Sequence, residues 1–284
     1  MPMKLTTAGS AQLRAMLLGA ASVSLLAIWP VQASAQGVST QTPPAQTAPS
    51  SPAPQAQVGS DGQKPIMEQA ALDALKKAST RIADAKSFSI KAFGSREVPS
   101  TQGQMLTFFD TVDVAVKRPD KLHADIRSGD NDLAVFYDGK TVTLADPAQK
   151  FYATVPAPNT LDAFLTEAAQ KHSIRLPMAD FLGSDPYAVL SKGLTNAYEV
   201  GPALIDGTAT RHYAYAASGL EYQLWLDAKT DLPRLMTVTY LDATRAPHFT
   251  VAFKDWSFRN VADSAFRFSP AKGAAKIEFL PASQ

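Results

Sequence analysis

The side chains that perform metal and nucleophilic chemistry are few in this chain and widely spaced. It contains no cysteine, and its four histidines, His123, His172, His212 and His248, stand far apart. None of them has a second histidine three or four residues away, the spacing that brings two ligands to one metal ion. The sequence therefore predicts no metal site, and we interpret the histidines as surface or strand-edge residues.

Other catalytic patterns are also missing from the sequence. Asp130-Asn131-Asp132 is similar to the start of a calcium loop, but the next ligand position is Ala134 and no glutamate follows in register, so we interpret it as a turn. There is no G-x-S-x-G motif, no S-x-x-K motif and no glycine-rich phosphate loop. We expect a non-enzymatic protein without a cofactor, while a pair of catalytic carboxylates, which leaves no sequence pattern, stays open as an alternative.

Residues 1–35 have the composition of a secretory signal peptide. Lys4 and Arg14 are their only charges, the apolar run Ala15–Trp29 follows, and the small residues 33–35 form a cleavage signal. A transmembrane anchor is the alternative, but the run is shorter than the ~20 residues that a span needs. We therefore predict a periplasmic protein, exported through a cleavable signal, without a transmembrane span afterwards.

Residues 36–64 form a segment rich in proline, alanine and glutamine, in which only Asp61 and Lys64 are charged. Such a segment cannot bury enough apolar surface to fold, so we expect a disordered linker. Removing the signal, which holds two basic residues and no acidic one, changes the formal net charge from +1 to −1. No basic run indicates nucleic acid as a partner. A single folded domain is predicted for residues 65–284.

The stretch from Asn131 to Val155 predicts two consecutive hairpins. Asp138-Gly139 is a strong signal for a two-residue turn. That turn places Tyr137 opposite Lys140, Val135 opposite Val142 and Leu133 opposite Leu144. A type I turn over Asp146-Pro147-Ala148-Gln149 places Phe151 opposite Leu144 and Ala153 opposite Val142. One face of this meander therefore collects the apolar residues Leu133, Val135, Tyr137, Val142 and Leu144.

The remaining pattern is mainly that of β-strands. A helix is predicted from Pro65 to Ala85, and strands with a turn at Arg118-Pro119-Asp120 lead to the meander. Two short helices follow, one capped by Asn159 or Thr160 and one, Tyr187–Lys192, capped by Asp185 and ended by Gly193. Strands resume at Thr195, with turns at Asp206-Gly207 and Ser218-Gly219 and a bulge near Lys254-Asp255.

These elements predict an α+β fold that is mainly antiparallel β. About 10 to 11 strands in one sheet curl into an incomplete barrel around the long N-terminal helix and the two short helices. Because few helices are available to fill the concave side, we expect apolar space there.

Two phrases carry a resemblance to a known family. FYDGKTVTLADPAQKFYATV from Phe136 and LWLDAKTDLPRLMTVTY over Leu224–Tyr240, behind an N-terminal helix, resemble the DUF2092 family of predicted periplasmic proteins, within the lipoprotein-carrier superfamily. The likeness spans roughly Pro65 to Leu280. It implies a curved, incomplete barrel around helices whose apolar inner face holds acyl chains of lipoproteins or other lipids.

Two functional hypotheses follow. The first is a periplasmic module that binds a lipid, or the acyl chain of a lipidated partner, in the concave face of the sheet. The second is an interaction or sensor module that binds another envelope protein without a lipid ligand. The residues expected to line the concave site occupy alternate positions of their strands: Leu133, Val135, Tyr137, Leu144, Phe151, Leu224, Met236, Val238, Phe249 and Val251.

Overall fold

The computed structural model describes residues 65–128, 132–148, 150–171 and 178–279. The predicted signal peptide (1–35), the predicted linker (36–64) and most of the turn at 130–132 lie outside these residues. The described helices are α1 (Gln69–Ala83), α2 (Leu161–Lys171), α3 (Ala179–Leu182), α4 (Pro186–Leu190) and a 3-10 helix over Asp263–Phe266.

Twelve strands of the described chain form one sheet. They are β1 (Ser87–Pro99), β2 (Met105–Lys117), β3 (Lys121–Arg127), β4 (Leu133–Tyr137), β5 (Thr141–Asp146), β6 (Phe151–Pro156), β7 (Leu194–Ile205), β8 (Thr208–Ala217), β9 (Leu220–Asp227), β10 (Pro233–Tyr240), β11 (His248–Ser257) and β12 (Ala275–Lys276). Their order is β12-β6-β5-β4-β3-β2-β1-β11-β10-β9-β8-β7, so the sheet does not close on itself. Only β12, beside β6, runs parallel to its neighbour.

Strand alternation divides the sheet into an inner face and an outer face. Inward residues such as Ile90, Val114 and Leu224 are almost fully buried, because α1 to α4 cover the inner face. Helix α1 turns a narrow stripe toward the core, formed by Ala71, Leu75, Ala78 and Ile82, all without solvent exposure. Alanine in this stripe lets the helix lie close to its neighbours.

The predicted fold class is confirmed as a mainly antiparallel α+β fold with an open, curved sheet. The sheet has twelve described strands rather than 10 or 11, because the two-residue β12 joins its edge. Helix α3 was not expected, since four residues are too few to show a helical period.

The predicted pairing of the meander is wrong by two residues. Val135 pairs with Leu144 and Tyr137 with Val142, rather than Val135 with Val142. The central turn residues are Gly139, with φ 88°, and Lys140, because the Asp138 carboxylate accepts from the N–H groups of Lys140 and Thr141 at 2.9 and 2.8 Å.

The second turn of the meander shows the same error. Leu144 pairs with Ala153 and Asp146 with Phe151, rather than Leu144 with Phe151. An even shift leaves every side chain on its predicted face. The assignment of inward residues therefore holds although the register does not.

The start of the first helix also differs from the prediction. Helix α1 begins at Gln69 rather than Pro65, because the residues before it extend the sheet beside β7. The N–H of Glu68 donates to the carbonyl of Ala197, and the N–H of Ala197 donates to the carbonyl of Ile66, both at 2.8 Å. Met67, expected in the apolar stripe, is 47% exposed instead.

Several local predictions are confirmed. The Thr160 hydroxyl caps α2 by accepting from the N–H of Ala163 at 3.3 Å, and Asp185 caps α4 by accepting from Ala188 at 2.9 Å. The register between β1 and β11 shifts between Lys254 and Ser257, where the bulge was expected.

The chain after β11 crosses the outer face of one half of the sheet. Lys117 pairs with Asp263 at 2.6 Å, and the ring of Phe268 lies 5.3 Å from that of Phe136 and 4.9 Å from that of Tyr152. This C-terminal strap (residues 263–279) covers the outer face of β3 to β6.

Candidate functional site

The ten predicted site residues all lie on the inner face, in two groups. One group occupies β4 to β6 and the other β9 to β11, and β1 to β3 separate them. Seven are at most 7% exposed: Val135, Tyr137, Leu144, Leu224, Met236, Val238 and Val251. Leu133, Phe151 and Phe249 are half-buried, and all except Phe151 belong to one continuous apolar cluster.

The strands between the two groups supply inner-face residues that the predicted site leaves out. They continue the apolar surface through Phe88, Ile90, Ala92, Val112, Val114, Val116, Leu122 and Ala124. The sequence contained the signal that identifies them, because these apolar residues alternate along β1 to β3 as the ten predicted site residues do along their own strands. The inner face is therefore one apolar surface that crosses the sheet.

Aromatic side chains from the helices rest on this surface. The ring of Phe164 in α2 stacks on Tyr137 with 4.2 Å between ring centroids, and Phe181 in α3 meets Phe253 edge-on at 5.5 Å. These contacts hold the helices against the sheet at two points.

Three tyrosines on the inner face donate to backbone carbonyls. The hydroxyl of Tyr137 donates to Pro158 at 2.6 Å, that of Tyr215 to Ala71 at 2.9 Å and that of Tyr222 to Leu190 at 2.7 Å. Burial raises the pKa of Tyr137 to about 12, and it also raises the pKa of Tyr215 and Tyr222. The three hydroxyls therefore stay protonated at neutral pH and tie helices and loops to the sheet.

Two arginines interrupt the apolar inner face, one near each end of the β1–β2 pair. Arg96 lies in a row with Val238, Phe249 and Phe108. Its guanidinium is 4.8 Å from the centroid of the Phe108 ring, and its Nε is 3.7 Å from a carboxylate oxygen of Asp110. This end of the inner face therefore holds a cation together with an anion.

Arg118 lies at the opposite end, directly after β2. Its guanidinium carbon is 5.8 Å from the ring centroid of Phe88, and its Nη1 donates to the carbonyl of Leu182 in α3 at 2.9 Å. Burial lowers the pKa of Arg118, and the negative charge of Asp162 opposes this shift. Nε and Nη2 are enclosed and have no hydrogen-bond acceptor among the described residues.

Metal binding has no structural support in the residues described. No three histidine, aspartate or glutamate side chains among them are placed to hold a metal ion. His123 and His212 stack instead on Phe136 and Trp225, with ring centroids 4.2 and 4.0 Å apart. His172 lies outside the described residues.

The family model described as "Predicted periplasmic protein (DUF2092)" matches residues 71–280, which include the whole inner face. The chain belongs to the DUF2092 family. None of the helices described for this DUF2092 chain is long and apolar enough to cross a membrane. Among curated proteins, no sequence matches it.

Several solved structures are weakly similar to this DUF2092 chain. The lipoprotein LppX of Mycobacterium tuberculosis is 12% identical with a TM-score of 0.42, over 67% of this chain and 96% of LppX. A LolA superfamily protein of Nitrosomonas europaea is 11% identical with a TM-score of 0.34, over 70% of this chain and 97% of that protein's chain. A chain of the MucA/MucB complex of Pseudomonas aeruginosa is 16% identical with a TM-score of 0.38, over 70% of this chain and 61% of that one. At these values, none carries an argument about activity.

The outer face of β9, β10, β11, β1 and β2 differs from the strapped half of this DUF2092 sheet. Two adjacent rows across these five strands contain no charged residue: Trp225, Leu235, Ala252, Phe93 and Thr111 in one, and Gln223, Thr237, Thr250, Ser95 and Phe109 in the other. Phe93 and Phe109 are 46% and 56% exposed and stack at 5.7 Å. We call these ten residues the outer band.

Proposed function

We propose that this protein is a non-enzymatic binding module whose inner face takes a hydrophobic ligand, either a lipid or the acyl chain of a lipidated partner. The observation that supports it best is the continuous apolar surface of the inner face, which extends from β4–β6 to β9–β11. An acyl chain matches such a surface, because each buried methylene group stabilises a complex by ~0.8 kcal/mol.

The helical cover of the inner face supports the same proposal. Helices α3 and α4 have only four and five residues, and α3 contributes Phe181, which meets Phe253. Short helices have little stability of their own and depend on tertiary contacts. An acyl chain that displaces Phe181 or Phe164 exchanges one apolar contact for another.

The proposed ligand contacts are the ten inward residues of β4–β6 and β9–β11. Leu133, Phe151 and Phe249 keep partial exposure and mark the proposed points of access, whereas the buried residues would meet the ligand once the cover shifts. Polar groups along this path are few, so shape and apolar area would decide affinity.

Native mass spectrometry of protein purified from its own periplasm tests the proposal. We expect a retained mass that dissociates as a lipid. Val238→Trp fills the inner face and should lower lipid occupancy, whereas Thr237→Trp, its outward neighbour on β10, should not. A protein that carries no lipid and binds no palmitate when offered would contradict the proposal.

Export completes this proposal. We expect the mature chain to begin at Gln36, residues 36–64 to be cleaved readily by proteases, and residues 65–284 to resist as one domain. Intact-mass measurement after limited proteolysis checks all three. A secreted form that retains Met1, or a second protease-sensitive site within the domain, would contradict this organisation.

The outer band favours a second candidate function, binding of another envelope protein without a lipid. Uncharged, partly aromatic surfaces are typical of the centre of protein interfaces. A photo-crosslinker in place of Phe109 should then capture one envelope protein, while the same crosslinker in place of Leu204, which is 72% exposed on β7, should not. Equal capture from both positions would contradict this function.

A further inference from the structure

Arg118 is a half-buried cation, and the enclosed part of its guanidinium leaves its hydrogen-bonding capacity unused. A guanidinium carries five N–H donors in a planar fork. At Arg118 the described residues supply one acceptor, the carbonyl of Leu182 at Nη1, and Nε and Nη2 have none. Buried polar groups are nearly always satisfied in folded proteins, and each exception calls for an explanation.

The two unused nitrogen atoms form one side of the guanidinium. In arginine, the N–H of Nε and one N–H of Nη2 point in the same direction, which is the geometry that accepts both oxygens of a carboxylate or phosphate. The bond from Nη1 to Leu182 meanwhile holds the plane of the group in place. Arg118 is therefore oriented for a bidentate oxyanion that the described residues do not provide.

One acid of the described residues, Asp162, acts on the Arg118 guanidinium through its charge. Asp162 is close enough to influence the pKa of Arg118, but its carboxylate accepts from the N–H of Ser184 at 2.7 Å and forms no ion pair with the guanidinium. At the other end of the inner face, Arg96 has Asp110 beside it. Among the described residues, Arg96 therefore has an ion pair with an acid, although its Nε makes no hydrogen bond, and Arg118 has no ion pair.

The position of Arg118 relates this fork to the apolar surface. It follows Val116 on the inward side of β2, and its guanidinium lies over Phe88, both fully buried members of the inner cluster. A ligand lying along the inner face would end at this guanidinium. Because Nε and Nη2 are closed off from water, the ligand head reaches them only when part of the surrounding structure moves aside.

We infer that Arg118 binds the oxyanion head, a carboxylate or a phosphate, of an anionic amphiphile whose hydrocarbon chain lies on the inner face. This inference rests on the proposed function and adds to it the class of ligand. Enclosure strengthens the interaction, since a charge-assisted hydrogen bond gains as the surroundings become less polar.

Three ligands with the same chain and different heads test the inference on the full mature protein: palmitate, hexadecyl phosphate and 1-hexadecanol. Affinities are measured by calorimetry below the micelle concentration. We expect palmitate, hexadecyl phosphate or both to bind about 10- to 100-fold more tightly than hexadecanol. Whichever of palmitate and hexadecyl phosphate binds more tightly shows whether the head group of the natural ligand is a carboxylate or a phosphate.

Two variants test whether the preference for an anionic head depends on the Nε and Nη2 side of the Arg118 guanidinium. Arg118→Met should abolish it while leaving hexadecanol affinity unchanged. Arg118→Lys keeps the charge without the fork and should retain only part of the preference for the anionic ligands. This variant replaces Arg118→Met in the test if the methionine variant does not fold. Arg96→Met is the matched control and should keep the full preference.

The outcomes separate the inference from the proposed function. Equal affinity of the three ligands, or a preference that survives in both Arg118 variants, would overturn the anion site and leave apolar binding intact. Failure of all three ligands to bind would overturn the proposed function and the anion site together.

Discussion

The two ends of the inner face present the same residue type in opposite electrostatic situations. Arg96 and Arg118 both lie against a phenylalanine ring on the inward side of the β1–β2 pair. Both guanidinium groups have enclosed nitrogen atoms without a hydrogen-bond acceptor among the described residues, Nε in Arg96 and Nε with Nη2 in Arg118. The difference is the counter-charge: Arg96 has a carboxylate oxygen of Asp110 at 3.7 Å, whereas Arg118 has only the backbone carbonyl of Leu182. A cation with its own anion serves stability, and one without an anion is available to a ligand.

Removing the anion at the Arg96 end should have the largest effect. Asp110→Asn leaves an enclosed guanidinium beside Phe108 without its carboxylate, so we expect the free energy of unfolding to fall by ~3 kcal/mol in urea denaturation. Asp162→Asn is the control near Arg118, because asparagine keeps an acceptor for the N–H of Ser184 and no ion pair is lost. Its effect should stay below ~1 kcal/mol. Equal losses would mean that the two ends do not differ.

Removing each cation should give an intermediate effect. Arg96→Met takes the cation from the buried Asp110 and should lower the free energy of unfolding by ~2 kcal/mol, while Arg118→Met removes an unsatisfied charge and should change it by less than ~1 kcal/mol. Urea midpoints of the two variants check this. A larger loss for Arg118→Met would identify Arg118 as a structural residue and break the comparison.

The smallest effect concerns a hydrogen-bonded pair at the Arg96 end, Glu97 and His248. Glu97 accepts from the backbone N–H and the ring of His248, both at 2.9 Å, and these bonds lower the pKa of Glu97. A lowered folded pKa means that the stabilisation is complete above the unfolded pKa of ~4.3 and disappears as pH falls through the folded value.

Glu97→Gln should therefore reduce stability at pH 7 by up to ~1 kcal/mol, and the difference from wild type should shrink as the pH falls below the unfolded pKa of ~4.3. Thermal unfolding across this pH range measures it. A difference that grows in acid would show that Glu97 is not stabilised as an anion.

The sequence predicted the faces of the sheet better than its connections. Alternation placed residues such as Val135 and Val238 on the inner face, and an error of two residues in the meander did not change that, because side chains repeat every second residue. Helix α3 escaped prediction since four residues carry no period. The turn lies one residue later than predicted because the Asp138 carboxylate accepts from the N–H groups of Lys140 and Thr141. The Asp-Gly pair alone does not predict these side-chain hydrogen bonds.

The arginine site could not be predicted from sequence for a different reason. Arg118 belongs to a segment that the sequence marks only as a turn before Pro119. Its significance comes from Phe88, Leu182 and Asp162, which are distant in sequence, and from an acceptor that none of them provides. An unsatisfied group becomes visible only when all of its neighbours are known.

The most direct test of the account is the location of a bound acyl chain. Stearate with a nitroxide in mid-chain broadens methyl NMR signals close to it. We predict stronger broadening at Val238 and Val251, which point inward on β10 and β11, than at Leu235 and Ala252, which point outward on the same strands. Equal or stronger broadening at Leu235 and Ala252, or no broadening at saturating stearate, would contradict binding at the inner face.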